Sequence, residues 1–378
     1  MDAGWWKRWT KEVVARTLQS TGLAGVNRVA QRIRLGGRRL RIVSYHRVVE
    51  DFASEEARAI PGLLVSVRTL RRQLSHLGDR YEIVSLTRAL DEMRASPAGS
   101  DLAAVTFDDG YADLWENGLP VLRALSVPAS VFIVTALTGS EEPLLHDRLY
   151  CALVALERGR GDIARLPPGH GRQWLAVLQE SGCRPPEMVD GLLAAIPDPQ
   201  LRVLVEDLER ISGLSAADVG PGGRLLSWEM VRDLAAAGHD IGAHTTLHRV
   251  LTHLPLPEVR RELSESRRAI VERLGREPAA FAYPNGLYSS AVIAEALAAG
   301  YRCAVTTEAR QNGPGQDPFR LGRFTLWEGS TRGPRGYSPS IAACQFDGSF
   351  ETLGIPLAVS GLVAHDPEER RGAGLPTR

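Results

Sequence analysis

Two adjacent carboxylates, Asp108 and Asp109, end the run Ala104-Val105-Thr106-Phe107-Asp108-Asp109-Gly110-Tyr111. Apolar residues ahead and a glycine turn behind mark a buried strand with charges at its tip. Side by side, these charges repel unless a cation sits against them. A second concentration of chemistry is His239-Asp240-Ile241-Gly242-Ala243-His244-Thr245-Thr246-Leu247-His248. His244 and His248 are four apart, a spacing that puts both imidazoles on one side of a helical turn, able to share one cation. Two neutral imidazoles and one carboxylate make a three-ligand set that leaves positions open for water and substrate. The remaining carboxylate would take the proton of the attacking water. One aspartate for the metal and one for the proton is the arrangement these residue types point to.

Such groups meet only if their strands end on one edge. From Arg41 onward the chain alternates strand-like and helix-like segments. LRIVSYH, LAAVTFDD, PASVFIV, HDIGAH, AAFAYP and YRCAVTT read as strands, and SVRTLRRQLSHLGD, ADLWENGLPVLRAL, SWEMVRDLAAAG, LPEVRRELSESRRAIVERLG and SSAVIAEALAAG as helices. This order predicts an α/β domain with a mostly parallel sheet, whose chemistry lies at the carboxyl ends of the strands. The domain spans 41–330 and is interrupted at about 139–225 by a Leu- and Ala-rich helical insertion, near whose start His146 and Asp147 could reach the site. Residues 1–40 form a basic amphipathic helical segment, and 331–378 an irregular tail whose last residues are mobile.

The 378 residues suffice for a sizeable core, and 44% hydrophobic residues with zero formal charge describe a globular protein with no charge-selected partner. The four cysteines stand far apart without a C-x-x-C pair, which fits a reducing compartment. Basic residues gather only at the N-terminus, with no interleaved aromatic platform, so nucleic acid is not an expected partner.

Thr106-Phe107-Asp108-Asp109-Gly110-Tyr111 and His244-Thr245-Thr246-Leu247-His248 together resemble the first two motifs of the polysaccharide deacetylase family. The flanks VSYHRV, LSWEMVRDLAAAGHDIGAH and FAYPNG are similar to it as well. The resemblance covers roughly 41–327. It implies a distorted (β/α) barrel of fewer than eight regular units, with Asp108 as catalytic base and Asp109, His244 and His248 as ligands of a divalent metal, most often zinc. The reaction it implies is metal-assisted attack of water on an acetamido carbonyl, giving a free amine and acetate.

The chain departs from the family pattern twice. The third motif, Arg-x-Pro-Tyr-Gly, is replaced by Ala282-Tyr283-Pro284-Asn285-Gly286, so its arginine is missing. Arg323 or Arg320, in FRLGRF, is expected to supply the charge that orients Asp108. The late Leu-x-x-His that provides a general acid has no counterpart. His46, ending VSYH, is the first substitute, and His365 a weaker one. His239 and His253 read as structural, Trp228 and Trp327 as core residues or sugar-stacking platforms, and Gly110, Gly242 and Gly286 as turn formers.

The expected substrate is an N-acetylated glycan or a lipid-linked glycan precursor. Alternatives are a non-sugar amide or imide on the same fold, or a glycan-binding relative without turnover. The N-terminal stretch has no apolar h-region or cleavage site, so a cytoplasmic location is expected, with peripheral contact at the inner membrane face expected through the first helix.

Overall fold

The computed structural model describes residues 3–355. The last tail residues and His365 lie outside them. Ten strands carry the argument: β1 Leu40–Tyr45, β2 Arg47–Val49, β3 Leu64–Ser66, β4 Glu82–Ile83, β5 Leu102–Phe107, β6 Ala129–Ile133, β7 Asp240–Ala243, β8 Ala280–Ala282, β9 Cys303–Val305 and β10 Phe324–Thr325. Eight form one sheet in the order β10-β1-β5-β6-β7-β8-β9, with β4 added beside β5. Every pairing in it is parallel. The sheet curls on itself, and a parallel bridge from Val305 to Leu321, just ahead of β10, draws its two edges together. The result is the distorted, incompletely closed barrel anticipated from the sequence.

Strand alternation sorts the side chains. Along β5, Ala103, Val105 and Phe107 join the cluster beneath the surrounding helices, whereas Leu102 and Ala104 join a second cluster on the other face with Ile42, Ala282, Val305 and Leu321. Crossover helices Val67–Gly78, Trp228–Ala236, Leu256–Leu274 and Ser290–Ala298 fall on the segments read as helical. Residues 145–212 fold into four helices, Leu145–Glu157, His170–Glu180, Pro185–Ala195 and Asp198–Ser212, around an apolar cluster of their own.

One reading needs correction. The segment 331–378 is not uniformly irregular: Ser338 caps a helix, Pro339–Asp347, by accepting from Ile341 N, and all residues from Ile341 to Asp347 are buried. A Ser-Pro start is a helix-entry signal, and burial of small residues does the rest. The N-terminal segment is two helices, α1 Ala3–Ser20 and α2 Leu23–Leu35, broken at Gly22 in the left-handed region. Both lie against the late helices, Ala15 and Leu18 with Ile341, Cys344 and Phe350.

Candidate metal centre

β1 and β5 run in register to their ends, Tyr45 opposite Phe107, and Asp108 N extends the ladder by donating to Tyr45 O at 2.9 Å. His46 and Asp108 therefore leave the sheet side by side. The chain then turns sharply, Asp109 at φ 70° and Gly110 at φ 77°, the latter lying where a Cβ would be 3.2 Å from Ile133. That turn aims two consecutive carboxylates at the same rim. Across it, His244 N donates to Ile133 O at 2.9 Å, placing His244 at the end of β7. The loop to His248 is not helical, contrary to the spacing argument: Thr245 and His248 have φ of 64° and 58°. Backbone reversal, rather than a helix face, brings the two imidazoles together.

Asp109 Oδ1 lies 3.4 Å from His244 Nε2 and 3.3 Å from His248 Nε2, and the two rings meet edge to face at 4.7 Å. His244 Nδ1 donates to Ala282 O at 2.8 Å, which turns Nε2 toward Asp109. Asp109 Oδ1 is buried without a hydrogen-bond partner. An acceptor-only atom orphaned among two imidazole nitrogens fits a cation. The separations fit as well, since donors about 2.0–2.2 Å from a tetrahedral ion stand roughly 3.4 Å apart. Burial pushes the Asp109 carboxyl up, yet the surrounding histidines outweigh it and hold the group well below its ordinary range. Burial lowers His248 to about 3, leaving it neutral and ready to ligate.

Asp108 is gripped by Arg323. Nη1 donates to Oδ1 at 2.7 Å and Nη2 to Oδ2 at 2.6 Å, while Nε donates to Thr306 O at 2.8 Å and Nη1 also to Thr106 Oγ1 at 3.1 Å. Burial pushes the Asp108 carboxyl up, but the guanidinium charge and its hydrogen bonds bring it below its ordinary value. Arg320 is elsewhere, on the surface, 3.8 Å from Asp317 and over the Tyr288 ring.

With this geometry in view, comparison with known proteins is decisive. The family model "Polysaccharide deacetylase" matches residues 95–304, more than half of the chain. The chain belongs to the polysaccharide deacetylase family. Its fold is similar to that of IcaB from Ammonifex degensii at 19% identity (TM-score 0.53, 82% of this chain and 97% of that one). It is similar also to the Streptococcus pyogenes deacetylase PplD, solved with acetate, at 15% identity (TM-score 0.51, 79% and 96%). No curated protein matches. Family membership and the Asp109–His244–His248 cluster, the one such group among the described residues, make the chain a metal-dependent deacetylase-type hydrolase.

The remaining residues of the deacetylase sort by what they touch. His46 is buried, with Nδ1 unpaired; burial lowers its imidazole, against the pull of Asp109 and Asp108. From the insertion, His146 reaches the metal centre: its Nε2 is 3.8 Å from Asp109 Oδ2 and its ring 5.2 Å from that of His248. Tyr111 donates its hydroxyl to Asp147 Oδ2 at 2.8 Å and lies 2.9 Å from His146 Nε2, which makes Nε2 the protonated nitrogen. Glu262 braces the histidine loop, its Oε2 accepting from Thr246 N at 2.8 Å and Leu247 N at 3.1 Å. No motif marks Glu262 in the sequence; its one signal is a glutamate at a position that the helix turns inward. His239 is structural, its Nδ1 accepting from Ala129 N at 3.1 Å, and His253 sits in the turn Leu251–His253. Trp228 opens its helix beneath the Arg273 guanidinium, whereas Trp327 lies on the rim beyond β10.

Proposed function

We propose that this chain hydrolyses N-acetyl groups on a hexosamine-containing polysaccharide or its lipid-linked precursor, with zinc at Asp109, His244 and His248 and Asp108 as the base. The observation that carries this is the division of labour at the end of β5: Asp109 presents an unpartnered oxygen to two imidazoles while Asp108 is held by Arg323. A zinc ion bound there would lower the pKa of water and polarise the acetyl carbonyl. Arg323 holds the Asp108 carboxylate ionised and fixed in orientation. Asp108 then accepts the proton as the water oxygen bonds to the acetyl carbon. Cleavage of the C–N bond needs a proton on the departing nitrogen; burial keeps His46 neutral beforehand, so the proton delivered is the one Asp108 took from water, which His46, leaving β1 beside Asp108, is placed to pass on. The products are acetate and a free amine. We place this activity at the inner face of the cytoplasmic membrane, a reading supported by four unpaired cysteines.

Acetate release from N-acetylglucosamine oligomers and acetylated polysaccharides tests this. Zinc-loaded wild type releases acetate; removing zinc with a chelator abolishes release, and Asp108→Asn retains stoichiometric zinc while losing about 10²–10⁴ in rate. Release from small amides or imides alone would redirect the substrate assignment, and metal-replete protein inert on every substrate would overturn the reading.

A further inference from the structure

Of the two N-terminal helices, α1 carries apolar residues on both faces and α2 on its outer face. One face of α1 packs inward through Ala15 and Leu18, and α2 turns Ala24 and Gln31 inward. The opposite face of α1 exposes Trp6, Trp9, Val13 and Val14, and that of α2 exposes Leu23, Val26, Val29 and Ile33, the last at 76%. At 100° per residue Trp6, Trp9 and Val13 lie about half a turn from Ala15 and Leu18, and Val26, Val29 and Ile33 about half a turn from Ala24 and Gln31, with Val14 and Leu23 on the flanks, so both sets point away from the domain. Eight of the fourteen large exposed apolar side chains among the described residues fall on this one hairpin. Such concentration marks a contact surface.

Charge selects the occupant. Of the chain's 45 basic and 45 acidic residues, nine and two lie within 1–39, leaving 36 and 43 for the rest. Arg16, Arg32, Arg38 and Arg39 pair with carboxylates, whereas Lys7, Arg8, Arg28 and Arg34 have no acidic partner among the described residues. A second copy of the chain would press like charges together. Trp5, Trp6 and Trp9 stack edge to face in the first turns, and indoles with flanking cations suit the boundary between lipid headgroups and acyl chains. No helix among the described residues is long and apolar enough to cross a membrane.

We infer that the α1–α2 hairpin lies on an anionic lipid surface, its apolar stripes at the acyl boundary and its free cations among the headgroups. A groove of about 920 Å³ is lined by Lys7 and Arg8 of α1 together with Phe52, Arg332 and Trp327. A groove opening beside these lipid-facing cations suits a glycan carried on a lipid; this substrate clause rests on the deacetylase reading, and lipid binding does not.

Co-sedimentation of the full chain with phosphatidylcholine vesicles, with and without about one-third phosphatidylglycerol, tests the inference. Each basic residue near an anionic bilayer is worth roughly fivefold in partitioning. Wild type is expected to pellet with the anionic vesicles and to be released at about 0.5 M salt, where charges are screened within a few ångströms. Val26→Glu/Ile33→Glu and Arg28→Glu/Arg34→Glu should each weaken partitioning about tenfold or more, with circular dichroism and thermal unfolding unchanged because Val26, Ile33 and Arg34 are exposed and the half-buried Arg28 makes no ion pair among the described residues. Absence of wild-type binding, or binding indifferent to both variants, would overturn the inference. So would a dimer, seen by sedimentation velocity, that Val26→Glu/Ile33→Glu dissolves in protein that binds no vesicle.

Discussion

Arg323→Ala removes the group on which Asp108 depends. Both partners are sequestered, with side-chain exposures of 1% and 4%, and the pair is bidentate. Deleting one member of such a pair leaves an uncompensated buried charge and costs about 3–5 kcal/mol. The loss must vary with pH. In wild type the Asp108 carboxyl is depressed, so its stabilisation is present above the unfolded value of about 3.9 and is lost as pH falls through the folded one. Without Arg323, burial remains and pushes the same carboxyl above its unfolded value. The folded variant then binds more protons than the unfolded chain, and its stability falls as pH rises through that window. The gap between wild type and variant should therefore be narrow near pH 4.5 and wide at pH 8, about 1.4 kcal/mol for each unit by which the carboxyl moves. Urea unfolding of metal-free protein across this range measures it, with the exposed Arg320→Ala as control, expected within about 0.5 kcal/mol of wild type. Acetate release should collapse in Arg323→Ala and persist in Arg320→Ala. A loss below about 1 kcal/mol for Arg323→Ala, or one flat across pH, refutes the reasoning.

Glu262→Ala should strand the Thr246 and Leu247 amides at about 1–3 kcal/mol and weaken metal binding about 10–100-fold in a chelator competition, while Glu262→Gln, keeping a carbonyl acceptor, retains most of it; equal affinity for Ala and wild type would show the loop does not need the brace. Burial lowers His76 to about 4, so the unfolded chain protonates it first as pH falls from about 6.5. Stability contributed by the neutral ring is thus present above pH 6.5 and lost toward pH 4. His76→Gln should flatten that part of the urea midpoint-against-pH curve, and an unchanged slope would count against it.

Much of the centre is legible in the chain because local rules place it. Period-two alternation puts Thr106 and Asp108 on one face of a strand, and the Asp-Asp-Gly turn follows at once. The histidine pair is legible as a pair, but not as a loop, since left-handed backbone at Thr245 and His248 is set by tertiary contacts such as Glu262. Arg323 is visible only as a candidate beside Arg320: which of the two reaches Asp108 depends on how Leu321–Thr325 crosses between β9 and β1. The helix Pro339–Asp347 carries a clear start signal and a weak interior pattern, because a helix buried nearly all round has little periodicity.

The packing of α1 and α2 on that late helix also has a bearing on biosynthesis. Gln31 Nε2 donates to Gly348 O, Arg39 Nη1 to Asp347 O and Arg41 Nε to Phe346 O, all buried and spanning some three hundred residues of chain. Residues 31–41 thus find these partners only some three hundred residues later in synthesis. Until then α1 has apolar residues open on both sides, and closure over so long a loop is slow. A nascent chain in that state would be a client for chaperones, or for the bilayer itself, until those later residues emerge.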